Sequence, residues 1–305
     1  MTTLSAVVAD ARSRLAAAGL PDATIEARIL IGGVLGLTAT DVFVRGDREI
    51  GGPELEKIAD AIGRRLKREP VHRILGEREF HGMVLKLSPE TLEPRPDTEI
   101  LVDAILPYVR QFVASRGEVR ILDLGTGTGA ILLALLKECP QATGVGTDLS
   151  EAALQTAREN AARLGLAGRF ETIRSNWLEE VTGRFDIVVS NPPYIRTGVI
   201  AALEPEVREF DPLRALDGGP DGLDCYRAIA AGAGEVLAPG GMVGVEIGYD
   251  QRDSVTTIFQ AVGFVLHQAL RDFGDKDRVL LFAKGEPTID FAQRKKRLGF
   301  PEEAR

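Results

Sequence analysis

The sequence predicts an open, doubly wound α/β sheet preceded by a small helical domain. Two observations carry that expectation. Apolar residues recur at helical spacing through the N-terminal part, and from Asp97 onward short strands alternate with helices. Such alternation implies parallel strands joined by helical crossovers on both faces of one sheet. The chain has 305 residues, 44% hydrophobic and 27% charged, enough for a large domain with its own core and a smaller companion.

In order along the chain, Leu4, Val7, Val8, Ala11 and Leu15 lie on one helical face, and Gly19-Leu20-Pro21-Asp22 ends that helix. A second helix is expected over Thr24 to Leu35 and a short third around Thr40 to Val44. A fourth opens at Gly51-Gly52-Pro53 and carries Leu55, Ile58, Ile62 and Leu66 on one face. Its last turn holds Arg64, Arg65, Lys67 and Arg68, a placement the helix dipole favours without any partner. Val71 to Leu75 and Met83 to Leu87 read as two short strands of a hairpin-like connector. The expected division is therefore 1–70 helical, 71–93 connector, 94–285 α/β domain and 286–305 a charged tail containing Arg294-Lys295-Lys296-Arg297.

Within the α/β domain the strands are expected at Val119–Leu124, Thr143–Thr147, Arg169–Ile173, Phe185–Ser190, Gly241–Ile247, Phe264–Leu270 and Val279–Ala283. Helices fall near 98–112, 129–138, 150–163, 222–237 and 250–262. Only Arg271–Arg278 separates the last two strands, too short for a parallel crossover, so one of them is antiparallel.

Composition narrows the function classes. Lys and Arg number 37 against 45 acidic residues, a formal net charge of −8, which suits neither a nucleic-acid coat nor stable nucleic-acid binding. Cys139 and Cys225 are the only cysteines, and His72, His81 and His267 show no metal-ligand spacing, so neither a disulfide framework nor a metal site is expected. The N-terminal run is amphipathic and charged rather than a signal peptide, and no apolar run approaches a membrane span; a soluble, cytoplasmic monomer is expected.

Two motifs carry chemistry. Asp123-Leu124-Gly125-Thr126-Gly127-Thr128-Gly129 follows the first strand of the sheet and leads into a helix. Its glycines permit a tight turn and close approach of a ligand to the backbone. The spacing is neither that of the dinucleotide fingerprint nor that of the phosphate loop. Asp148 ends the next strand, where an acid accepts hydrogen bonds from ribose hydroxyls, so the expected ligand is a nucleoside without pyrophosphate. The second motif, Asn191-Pro192-Pro193-Tyr194, stands at the carboxyl end of Phe185–Ser190, where ligands collect on open α/β sheets. Two prolines stiffen it and remove two donors, Asn191 supplies a carboxamide, and Tyr194 adds an aromatic face. Such an acceptor-rich clamp suits a planar amide or amino group.

Together these motifs resemble those of class I S-adenosylmethionine-dependent methyltransferases, with a Rossmann-like seven-stranded sheet; Asn-Pro-Pro-Tyr marks the branch that methylates amino groups. Leu75-Gly76-Glu77-Arg78-Glu79-Phe80, Pro94-Arg95-Pro96-Asp97-Thr98-Glu99 and Arg208-Glu209-Phe210-Asp211-Pro212-Leu213 are similar to the HemK/PrmC family, which methylates the glutamine of peptide chain release factors. Tyr249 and the Asp272–Arg278 stretch look familial as well. The resemblance implies S-adenosyl-L-methionine as cofactor and class 1 release factors as partners. It implies that Gly125, Thr126, Gly127, Thr128 and Gly129 wrap the methionine part, Asp148 holds the ribose, and Asn176 and Trp177 lie beside the adenine. Asn191, Pro192, Pro193 and Tyr194 then bind the target glutamine, with Asn191, Pro192 and Tyr194 in the chemistry, and the N-terminal helices dock the protein substrate. Many relatives carry Asp where Asn176 stands; an amide is the weaker acceptor. His81 and Glu93 also depart from the family pattern. Glu246, at a strand end, fits a site-facing role or a structural one, Arg95 is expected near the cofactor or the substrate loop, and His72 and His81 are expected in surface or packing roles. A nucleic-acid adenine methyltransferase using the same clamp is the alternative reading.

Overall fold

A computed structural model describes residues 2–285; the expected charged tail, 286–305, lies outside the described residues. The chain forms two compact units, one made of Met1–Pro94 with Val199–Ala215, the other of Arg95–Gly198 with the residues from Leu216 on.

The first unit is mainly helical. A two-residue strand β1 (Thr2–Thr3) precedes α1 (Leu4–Ala17), α2 (Ala23–Leu35) and α3 (Ala39–Val44). β2 (Glu49–Ile50) pairs antiparallel with β1, and α4 (Gly52–Leu66) and α5 (Val71–Leu75) follow. Leu4, Ala11, Leu15, Leu30, Ile31, Ile58 and Ile62 form its core. The stretch read as a first connector strand, Val71–Leu75, is the helix α5. Pro70 precedes it, Gly76 closes it in the left-handed region at φ 75°, and Val71, Ile74 and Leu75 join the helical core at i, i+3 and i+4. A five-residue apolar run does not distinguish strand from helix by periodicity alone. The hairpin lies just beyond, as β3 (Glu77–Phe80) against β4 (Met83–Lys86). His81 and Gly82 form its two-residue turn with φ 48° and 66°, the signs a type I′ turn requires, so His81 serves the backbone there. Glu93, which departs from the family pattern, is buried and paired with Arg78.

The segment 199–215 is tied into this unit by buried charge. Arg65, 3% exposed, donates to Glu26 at 2.9 and 3.0 Å and to Glu206 at 3.0 Å. Arg73 donates to Asp211 at 2.6 Å and to the carbonyls of Ser88 and Thr91, each at 2.5 Å.

The second unit starts with α6 (Glu99–Arg116) and β5 (Val119–Leu124), then α7 (Ala130–Glu138), β6 (Ala142–Asp148) and α8 (Glu151–Arg163). β7 (Phe170–Arg174) and β8 (Phe185–Ser190) follow, and a short helix α9 (Pro205–Arg208) lies within the segment belonging to the first unit. The remainder is α10 (Asp224–Val236), β9 (Leu237–Glu246), α11 (Arg252–Ala261), β10 (Phe264–Arg271) and β11 (Asp277–Lys284). The strand order is β10-β11-β9-β8-β5-β6-β7. β11 runs antiparallel to both β9 and β10, which makes it the antiparallel strand that the short final connection demands. On one face, Tyr226, Ile229 and Ala233 of α10 and Val255 and Phe259 of α11 pack with Leu122, Leu124, Val188, Val243 and Val245. α6 packs along β5, β9 and β11, and α7 along β5 and β6.

Candidate active site

Register aligns the functional positions. Leu124 pairs with Thr147 on one side and with Ser190 on the other, and Ser190 pairs with Val245. The residues that follow these partners, Gly125, Asp148, Asn191 and Glu246, therefore stand in a row at the carboxyl edge of the sheet. The hydroxyl of Ser190 donates to the Leu124 carbonyl at 2.7 Å and ties the two motif-bearing strand ends together.

The glycine loop presents an open face. Gly125, Gly127 and Gly129 have φ of 71°, 54° and 83°. A methyl group placed on Gly127 would meet nothing within 4 Å, and one on Gly125 would meet only the indole of Trp177, at 3.8 Å. Gly129 faces the other way: its added carbon would lie 2.9 Å from Leu133 and 3.4 Å from Ala157, so its need is close packing of α7 and α8. Asp148 accepts from the Gly127 amide at 3.0 Å and from the Ser150 amide at 2.9 Å, which fixes its carboxylate beside the loop. Trp177 stands at φ 53°, a left-handed conformation that costs a bulky residue roughly 1–2 kcal/mol and tends to persist where function needs it. Asn176 donates to Glu179 at 2.7 Å, which turns its carbonyl oxygen away from that carboxylate as an acceptor.

The Asn-Pro-Pro-Tyr segment is held from both ends. Gln251 donates to the Tyr194 carbonyl and to that of Gly222, each at 3.0 Å, and accepts from the Gly248 amide at 2.9 Å. A side chain on Gly222 would strike the Tyr194 carbonyl at 2.5 Å, so only glycine allows this approach. The Asn191 carboxamide nitrogen donates to the Thr98 hydroxyl at 3.1 Å, which leaves its oxygen as the outward acceptor. The Tyr194 hydroxyl donates to Glu246 at 3.3 Å, and burial raises the Tyr194 phenol well above its usual range.

Two carboxylates on these strands are buried. Glu246 is 1% exposed, and burial pushes its pKa up to about 7 against hydrogen bonding from Thr98 and Tyr194 and the charge of Arg278. Asp123 is fully buried and accepts from the Thr126 hydroxyl at 2.6 Å; burial raises it to about 7 as well. Residue spacing had not singled out Thr98, Gln251 or Asp123 for the site. Gln251 carries no local signal, whereas Thr98 lies in the family-like Pro94–Glu99 segment and Asp123 is an acid inside the mainly apolar strand Val119–Leu124 that opens the glycine motif. Glu246 touches the Tyr194 side chain. Arg95 contributes charge felt at Tyr194. His72 is shielded within the helical unit, and burial lowers its pKa.

Two family models match, the PrmC N-terminal domain over residues 6–76 and the methyltransferase small domain over 101–204. The release factor glutamine methyltransferase of Agrobacterium fabrum is 58% identical over 282 residues, covering 92% of this chain and 98% of that one. The chain belongs to the release factor glutamine methyltransferase family. The Caulobacter vibrioides member is 43% identical, covering 90% of this chain and 94% of its own. Among solved structures, a Pyrococcus furiosus methyltransferase superposes with a TM-score of 0.50 at 21% identity over 67% of this chain and 90% of that one, a likeness of fold. For a member of this family the cofactor is S-adenosylmethionine, and the cradle fits it: two glycines open to space, an indole bordering one of them, and a fixed carboxylate at the next strand end.

Proposed function

We propose that this chain transfers the methyl group of S-adenosylmethionine to the side-chain amide nitrogen of the glutamine in the Gly-Gly-Gln loop of class 1 peptide chain release factors. The observation that carries the reading is the orientation of Asn191, whose nitrogen donates to Thr98 and leaves its oxygen as the acceptor, at the end of the strand that neighbours the one leading into the glycine loop. Gly125 to Gly129 would wrap the methionine part, Asp148 would hold the ribose, and Asn176 and Trp177 would flank the adenine. Bound there, the cofactor supplies an electrophilic methyl group on a sulfonium.

An amide nitrogen is a poor nucleophile because its lone pair is delocalised into the carbonyl. The Asn191 side-chain oxygen and the Pro192 carbonyl would accept its two N–H groups and aim the lone pair at the methyl carbon. The nitrogen lone pair would form the new N–C bond while the C–S pair stays with sulfur, and the displaced N–H proton would pass to bulk water as the methylated amide leaves the site. Orientation of this kind can be worth about 7–11 kcal/mol in favourable cases. Tyr194 and the prolines would cover the amide and exclude water, while the N-terminal unit docks the body of the release factor. The enzyme is read as a cytoplasmic monomer.

The test is transfer of labelled methyl from S-adenosylmethionine to purified release factor, with the Gly-Gly-Gln glutamine intact or changed to alanine. Label that requires the glutamine, and that falls by at least tenfold with Asn191→Ala while cofactor binding stays intact, supports the reading. Label on DNA or RNA instead would assign the clamp to adenine amino groups. Glutamine-dependent turnover by Asn191→Ala within threefold of wild type would remove the clamp from the mechanism.

A further inference from the structure

We propose that Gln251 is a positioning residue for methyl transfer: its carboxamide fixes the Tyr194 peptide and, through the proline pair, the aim of the Pro192 carbonyl and the Tyr194 ring. The inference rests on the glutamine-methylating reading, in which those two groups meet the substrate amide. The proline pair is stiff but has no backbone N–H of its own to anchor it, so its aim is set at its ends. At one end Asn191 continues from β8 and donates to Thr98 at 3.1 Å. At the other, the Gln251 nitrogen donates to the Tyr194 carbonyl at 3.0 Å. Between these points φ is locked at both prolines, and Pro193 confines ψ of Pro192 to the extended region. A shift of the Tyr194 peptide is thus passed to the Pro192 carbonyl with little torsional freedom to absorb it.

The buried Gln251 carboxamide is bonded through both of its ends. Its nitrogen also meets the Gly222 carbonyl at 3.0 Å, and its oxygen accepts from the Gly248 amide at 2.9 Å and from the Tyr226 hydroxyl at 3.5 Å. A backbone N–H only donates, so the Gly248 contact fixes the oxygen end and leaves the NH2 for the two carbonyls. The arrangement demands an amide: a carboxylate of the same shape would set negative oxygen against two carbonyl oxygens. The turn it shares the carboxamide with, residues 218–222, lies on the same segment. A carbon added to Gly218 would stand 2.8 Å from the Pro193 carbonyl oxygen and 2.9 Å from the Tyr194 Cα, and the Gly218 amide donates to the Ile195 carbonyl at 2.8 Å. Gln251 therefore holds turn and clamp together.

Two observations separate this role from general support of the fold. The main chain of Gln251 is held on its own account, by the Gly248 carbonyl and the Val255 amide at the start of α11, each at 2.9 Å, so the side chain can be replaced while the helix keeps its start. The cofactor cradle follows β5 and β6 and has its own anchors, the bonds of Asp148 to the Gly127 and Ser150 amides. Loosening Gln251 therefore misaims the clamp and spares the cradle, and a misplacement of about 1 Å in reacting geometry can cost about a hundredfold in rate.

The experiment measures methyl transfer from labelled S-adenosylmethionine to purified release factor by wild type, Gln251→Glu, Gln251→Met, Gly222→Ala and Gly263→Ala, with kcat counted per cofactor-binding site from titration calorimetry. Both Gln251 changes keep the length of the side chain; the first turns its donors into an acceptor and the second removes them. Gly222→Ala presses on the Tyr194 carbonyl from the other side, whereas Gly263→Ala, at φ 86° in open surroundings after α11, bears a similar backbone cost away from the junction. The first three variants should lose at least tenfold in kcat and keep both the Kd for S-adenosylmethionine and the KM for release factor within threefold of wild type. Gly263→Ala should keep wild-type kcat. Combining Gln251→Met with Gly222→Ala should cost less than threefold beyond the worse single change, because both loosen one junction. Should the Gln251 variants fail to fold, Gly222→Ala against Gly263→Ala decides alone. More than a tenth of wild-type kcat in the deciding variant overturns the inference while the function stands. Cofactor affinity lost in step with kcat does the same, since it marks a general structural role. Wild-type enzyme that never labels the glutamine overturns the functional reading and this inference together.

Discussion

Gly127→Ala separates the backbone demand of the glycine loop from its role as a cofactor cradle. Gly127 stands at φ 54°, and an added methyl meets no protein atom within 4 Å. Gly165, after α8, has φ 71° and equally open surroundings, so Gly165→Ala bears a comparable backbone cost away from the loop. A left-handed alanine costs about 1–2 kcal/mol, offset in part by the roughly 0.4–1 kcal/mol gained from a stiffer unfolded chain. Each variant should therefore lose about 1 kcal/mol of stability, or roughly 2–4 °C in Tm. Only Gly127→Ala places its methyl in the space read as the cofactor's, where overpacking costs about 1–3 kcal/mol. Its Kd for S-adenosylmethionine should rise at least tenfold by titration calorimetry. At a ligand concentration of about 100 times the wild-type Kd, ligand stabilisation should be about 2.7 kcal/mol for wild type and Gly165→Ala, and about 1.4 kcal/mol or less for Gly127→Ala. Equal affinity in the two variants, with equal loss of Tm, would refute the cradle.

Two further outcomes follow from buried charge. Asp123 has its pKa raised from 3.8 to about 7, so its contribution to stability is full below about pH 4 and is lost as pH rises through about 7. The difference between about 7 and the ordinary 3.8 bounds that loss at about 4 kcal/mol. In denaturant titrations Asp123→Asn should gain on wild type between pH 5 and pH 8, and an identical difference at both would contradict a protonated Asp123 in the fold. Arg73→Met leaves Asp211, with its side chain 2% exposed, as a buried charge without its cation, and should cost about 3–5 kcal/mol of unfolding free energy. A loss below about 1 kcal/mol would show that the carboxylate finds water or another partner.

Local sequence determined most of the sheet and both motif positions. Residues 119–124 and 185–190 are mainly apolar strands bounded by a glycine turn and a proline pair, signals that act within a few residues and need no distant partner. The eight residues between the last two expected strands, Arg271–Arg278, likewise dictated an antiparallel pair, since so short a connection forbids a crossover. At Val71–Leu75 local information did not suffice, because the same apolar residues suit a strand or a single helical turn until Pro70, Gly76 and the helical core choose between them. Tertiary structure alone decided three other matters. It joined Val199–Ala215 to the N-terminal unit through Arg65–Glu206 and Arg73–Asp211, ion pairs 141 and 138 residues apart. It set strand order, and with it the row of Gly125, Asp148, Asn191 and Glu246. It also brought Thr98 to Asn191 across 93 residues, which turns the carboxamide outward by its oxygen. The division has a physical cause: periodicity and turn chemistry are short-range, whereas hydrogen-bond direction and buried charge depend on which strands become neighbours.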